Sequence, residues 1–134
     1  MLSKKQKIKY KLLSILFGIG SLFLISGYVY GSDKYLGIFE ITGYCNDEKC
    51  TGKNIGDKGY GITKSGKMAK WGTVATDPKV IPLGTKLKIE GFNTIFKVED
   101  IGGAIKKNKI DIWFPTHQDA LNWGRQKRKV WIVK

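Results

Sequence analysis

Two strand-length runs, TIFKVED (94–100) and KIDIWF (109–114), alternate apolar and polar residues and are joined by a loop with two adjacent glycines. A period of two puts successive side chains on opposite faces, which suits a sheet with one buried face and not a helix. Similar short runs recur at GIFEITGYC (37–45), GTVATD (72–77), KLKIE (86–90) and KVWIV (129–133). Turn signals separate them, including Asp77-Pro78, the PLG of residues 82–84 and many of the chain's 17 glycines. Short strands punctuated in this way predict a mainly β chain closed, or nearly closed, into a small barrel. One helix is expected over THQDALNWG (116–124), with Thr116 as N-cap, Asp119 at the third helical position and Gly124 as the stop. The glycine-rich residues 46–70 are long for an inert connection and predict a functional loop or a short hairpin.

The N-terminus says where such a barrel works. KKQKIKYK (4–11) is basic, and LLSILFGIGSLFLI (12–25) follows without a charge. A basic segment before an apolar one is the pattern of an export signal. Extended to Tyr30 the apolar helix is long enough to span a bilayer, so residues 1–32 are either a cleaved signal peptide or an anchor that leaves residues 33–134 outside. The formal net charge of +13 favours a polyanionic setting. Export points to an anionic cell envelope and away from nucleic acid, and the basic RQKRKV (125–130) reads as a solvated face beside the last strand. Outside the cell, Cys45 and Cys50 are expected to pair as a disulfide closing CNDEKC. A metal site there is the less favoured alternative, because the one histidine, His117, lies far along the chain, and a simple pair of free thiols is a third reading.

Aspartate is a poor strand residue, yet Asp100 ends one run and Asp111 sits inside the next. In KIDIWF the residues Ile110, Ile112 and Phe114 share a face suited to the core, which leaves Asp111 and Trp113 together on the other. A carboxylate beside an indole is suited to gripping a sugar, though a solvent-facing Asp on a strand gives the same pattern. Gly102 and Gly103 allow close backbone approach beside Asp100. Asp77 either orients a substrate or holds the turn at Pro78.

Taken together, TVATDPKVIPLGTKLKIEG (73–91), VEDIGGAIKKNKIDIWF (98–114) and the helix ending in Trp123-Gly124 resemble the 3D domain family, named for its three aspartates. That family is related to the stationary-phase survival proteins and to the membrane-bound lytic transglycosylase A type. The resemblance covers roughly residues 37–134. It implies a small six-stranded double-psi β-barrel with one or two short helices, acting on peptidoglycan without a cofactor. It puts the family's aspartates at Asp77, Asp100 and Asp111, with Asp111 as acid–base catalyst and Asp100 in support. Trp113, Gly102, Gly103 and Lys106 are the expected substrate contacts, and no metal is expected. Ile101 stands where the family usually has Thr.

The reaction so implied is non-hydrolytic cleavage of the β-1,4 bond between N-acetylmuramic acid and N-acetylglucosamine, leaving a 1,6-anhydro end. It requires Asp111 to keep its proton near neutral pH, hence a pKa well above the ordinary ~3.9. Burial and a second carboxylate would supply that shift. Three other readings compete: a non-catalytic wall-binding or scaffold module, an aspartic-protease-like pair at Asp100 and Asp111, and a metal site built from the three aspartates.

Overall fold

The computed structural model describes residues 32–134. The apolar segment expected to export or anchor the chain lies outside the described residues. Six strands close a barrel in the order β1-β5-β2-β4-β3-β6. They are β1 (Lys34–Tyr44), β2 (Thr73–Thr76), β3 (Lys86–Ile89), β4 (Ile95–Asp100), β5 (Lys109–Trp113) and β6 (Gln126–Ile132). Two short helices accompany them, α1 (Glu48–Thr51) and α2 (His117–Trp123). The pairs β1–β5 and β2–β4 are parallel and the remaining neighbours antiparallel. This is the mainly β, six-stranded class that the sequence predicts.

Alternation explains the interior. Phe39 and Ile41 of β1, Val74 of β2, Leu87 and Ile89 of β3, Phe96 and Val98 of β4, Ile110 and Ile112 of β5 and Val130 of β6 pack with Ile81 into one buried cluster. Each strand contributes, and each fully buried aliphatic side chain contributes roughly 1.5–3 kcal/mol relative to exposure. Between them, Lys86 and Lys88 face solvent. An aromatic layer covers the cluster: Trp71 lies edge-on to Phe96 at 5.7 Å and tilted against Phe114 at 5.6 Å, and Phe92 meets Trp123 at 5.1 Å. Gly43 belongs to this layer, because a Cβ there would fall 2.8 Å from the Phe114 ring.

The strand bounds differ from the sequence expectation at both ends. The first strand begins at Lys34 and the last at Gln126, because β6 pairs along its length with residues 34–41 of β1. That ladder carries Gln126–Arg128 into the sheet although their polarity reads as a solvated tail. Thr116 caps α2 as expected, its Oγ1 accepting from the Asp119 amide at 3.0 Å, and Gly124 ends it with φ 67°. Residues 46–70 hold more structure than a loop. They contain α1, and an isolated bridge joins Ile62 to Met68.

Candidate active site

One row of paired residues runs across four strands. Thr42 of β1 pairs with Asp111 of β5, Asp111 with Ala75 of β2, and Ala75 with Asp100 of β4. Paired residues share a face, so Thr42, Asp111 and the small Ala75 lie side by side on the barrel's outer wall. Asp100 joins that row through a β-bulge. Val74 pairs with Val98, but the next residue, Ala75, pairs with Asp100, which skips Glu99. Without the extra residue Glu99 would stand opposite Ala75; bulges commonly re-aim a side chain in this way. The two aspartates are therefore separated by one strand, roughly 10 Å between Cα atoms from two strand spacings of about 4.8 Å.

Their surroundings differ. Asp100 is held by three donors: Oδ1 accepts from the amides of Lys64 and Ile101, each at 2.9 Å, and Oδ2 accepts from the Tyr44 hydroxyl at 2.9 Å. Asp111 is half-buried and accepts one hydrogen bond, from Thr42 Oγ1 at 2.9 Å. Burial pushes its carboxyl up to about 6, the Thr42 hydrogen bond opposes that shift, and the negative charge of Asp100 adds to it. The Tyr44 hydroxyl is pushed well above the usual phenol range, first by burial, then by the charge of Asp100 and the hydrogen bond to it. Beside Asp100 a cleft of about 160 Å³ is lined by Tyr44, Asn46, Ile62 and Thr63 among others.

Asp77 sits apart from this pair in its bonding. Its Oδ2 accepts from the Lys107 amide and its Oδ1 from the Lys79 amide, both at 3.0 Å. Those amides, the Lys107 one foremost, hold its carboxyl below the usual range against the effect of burial, with the charges of Lys106 and Lys79 assisting. Lys107 is the one non-glycine residue with positive φ among those described, at 56°, so Asp77 secures a turn that an L-residue adopts reluctantly.

The remaining candidates find definite places. Trp113 shares the outer face with Asp111, and its Nε1 donates to Asn46 Oδ1 at 2.9 Å. Gly102 is tight against Ile105, whose Cγ1 would lie 2.7 Å from an added Cβ, whereas Gly103 has open space. Lys106 is exposed, and its charge acts on Asp77. Cys45 and Cys50 are joined as a disulfide. His117, 67 residues beyond Cys50, comes within 3.4 Å of its sulphur, because α2 packs on β1. Asp77, Asp100 and Asp111 do not gather into a ligand set; among the described residues, Cys45, Cys50 and His117 do.

Sequence reasoning passed over Thr42 and Tyr44, the groups that touch Asp111 and Asp100. The signal was present in GIFEITGY, where alternation puts Glu40, Thr42 and Tyr44 on the face opposite Phe39 and Ile41.

Known proteins resemble this chain in part. Residues 72–134 match the model of the 3D domain. The chain is 38% identical over 89 residues to "Putative cell wall shaping protein YabE" of Bacillus subtilis, covering 66% of this chain and 19% of that protein. It is 46% identical over 68 residues to "Cell wall-binding protein YocH" of the same organism, covering 48% of this chain and 23% of that one. The chain thus spans about a fifth of the length of these relatives. Among solved structures, MltA from E. coli is similar with a TM-score of 0.48 and 28% identity, over 55% of this chain and 27% of that one. The lytic transglycosylase LtgG of Burkholderia pseudomallei is similar with a TM-score of 0.45 and 24% identity, over 53% of this chain and 25% of that one. Over residues 72–134, the chain is similar to the 3D domain family.

Proposed function

We propose that this domain is a lytic transglycosylase that cuts the glycan strands of peptidoglycan outside the cell membrane, with Asp111 as its acid and base. The observation that carries this reading is Asp111 itself: a half-buried carboxyl with a pKa raised to about 6, in one row with a second carboxylate. A group near pKa 6 can both donate and accept a proton close to neutral pH. The names of the two Bacillus relatives, both concerned with the cell wall, support the location. Residues 1–32 deliver the domain there as a signal peptide or hold it at the membrane.

In the reaction, protonated Asp111 gives its hydrogen to the oxygen linking N-acetylmuramic acid to the next sugar. The bond from the muramyl C1 to that oxygen breaks and C1 takes on oxocarbenium character. The Asp111 carboxylate then removes the proton from the muramyl 6-hydroxyl as O6 bonds to C1. A 1,6-anhydro ring results, no water is consumed, and Asp111 is protonated again. One carboxyl group serves both steps because the nucleophile belongs to the substrate, whereas ordinary glycosidases use two. Burial keeps the proton on Asp111; the negative charge of Asp100, positioned by Tyr44, Lys64 and Ile101, adds to that and steadies the cationic sugar. Asp77 holds the loop of Lys106 and Lys107; with both its oxygens taken by amides, this role fits it better than substrate orientation. Trp113 offers an indole face to a sugar ring.

Purified sacculi incubated with the full chain should release muropeptides whose mass lacks one water, the anhydro signature. Asp111→Asn should release none while retaining the fold. Reducing-end products would indicate hydrolysis instead. The wall-binding name of one relative favours a second reading, a non-catalytic wall-binding module. Retention on sacculi with no soluble product would establish that reading and reject ours. A shared-proton pair of the protease kind has no support, since among the described residues no hydrogen bond joins the two carboxyl groups.

A further inference from the structure

Cys45, Cys50 and His117 converge at a place the proposed glycan chemistry does not use. Their ligand atoms all lie within 4.8 Å of one another. His117 Nδ1 is 3.4 Å from Cys50 Sγ and 3.9 Å from Cys45 Sγ. A tetrahedral zinc site with Zn–S of about 2.3 Å and Zn–N of about 2.0–2.1 Å has nitrogen–sulphur edges of roughly 3.5 Å, close to both distances. The two Cα atoms are 5.5 Å apart, so side-chain rotation alone can part the sulphurs to the roughly 3.8 Å edge such a site needs. The spacing C-x4-C falls within the range used by zinc ligands.

The surroundings suit a metal as well. Cys45 is fully buried, which shields one side of the trio. The other side opens on a cleft of about 300 Å³ that His117 lines together with Asp47, Glu48, Lys49 and Lys53. Asp47 occupies the N-cap of α1 without making a side-chain capping bond, so its carboxylate is not committed there.

We propose that, with its disulfide reduced, this chain binds one Zn²⁺ through Cys45 Sγ, Cys50 Sγ and His117 Nδ1, with a fourth position open to the adjoining cleft. A dithiol of the thioredoxin class supplies the reduction: it gives two electrons and two protons to the Cys45–Cys50 bond and becomes a disulfide itself. Zn²⁺ then displaces the two thiol protons, which pass to solvent, and neutral His117 binds through Nδ1 with its hydrogen on Nε2. Disulfide and metal are alternative cross-links of the same two sulphurs, and the metal form adds a bond from the segment 45–50 to α2.

The full chain, reduced with a phosphine in detergent and freed of oxygen, is titrated with Co²⁺ as a spectroscopic stand-in for zinc. One equivalent should produce thiolate-to-cobalt charge-transfer absorption in the near ultraviolet with tetrahedral d–d bands, and added Zn²⁺ should abolish both. His117→Ala should weaken cobalt binding about tenfold or more. Cys50→Ser should remove most of the charge-transfer band, and the oxidised chain should show none. Tryptophan emission, followed in parallel, separates loss of a ligand from loss of the fold. Two titratable thiols in a folded chain with no charge-transfer band would overturn the proposal. So would a band unchanged by His117→Ala, or a disulfide that resists reduction while the barrel stays folded.

Discussion

Asp77 and Asp111 come from the same three-aspartate pattern, yet the fold drives their acidities in opposite directions. Asp77 directly follows β2 with two backbone amides on its oxygens, and those amides favour the charged form. Asp111 stands mid-strand with a single hydroxyl partner, half out of water, and a carboxylate one strand away. Burial raises the one and backbone donors lower the other, so environment rather than residue type decides which carboxyl stays charged and which keeps its proton.

The sharpest way to break this contrast is Asp111→Asn, which should lower the rate of anhydro-muropeptide release about 10³-fold, within the range for a positioned acid–base group. The same substitution should help the fold. Because burial raises the Asp111 pKa to about 6, the native state binds the proton more tightly than the unfolded chain. The contribution of Asp111 to stability is therefore fullest below about pH 4 and is lost as pH rises through 6. Urea unfolding should find Asp111→Asn more stable than the parent above pH 6, by at most about 3 kcal/mol, with the difference vanishing near pH 4.

Asp77→Ala should do the reverse. Leaving the Lys79 and Lys107 amides without their acceptor should lower Tm by roughly 5–10 °C at pH 7. The depressed pKa of Asp77 means that its contribution is present above the ordinary carboxyl range and lost as pH falls through its folded value, so the Tm gap should close in acid. Smallest of all is Thr42→Val. Removing the one hydrogen bond that favours ionised Asp111 should move the alkaline limb of the pH–rate profile upward by about half a unit, at little cost to the maximal rate. An unmoved limb would show that Thr42 does not act on Asp111.

Much of this arrangement was legible in the sequence, for identifiable reasons. Ile110 and Ile112 face inward, with Asp111 and Trp113 outward, because a period of two leaves no other choice once one face is buried. Thr116 and Gly124 bound their helix because capping is local chemistry. Contacts that depend on barrel closure were not legible. Tyr44 reaches Asp100 across 56 residues and Thr42 reaches Asp111 across 69. The bulge that brings Asp100 rather than Glu99 beside Ala75 has no local mark in KVED, and His117 meets the cysteines only because α2 folds back onto β1.

The long first strand pairs with the two strands nearest the other end of the chain, β5 and β6. Few of its interactions can therefore form until almost the whole polypeptide is available. Barrels dominated by pairings so distant in sequence fold on the millisecond-to-second scale, far more slowly than helical bundles of similar size. A chain of this kind lingers in an open, threadable form, and a cut that removed only Gln126–Ile132 would unzip the seam and strand β1 without its antiparallel neighbour.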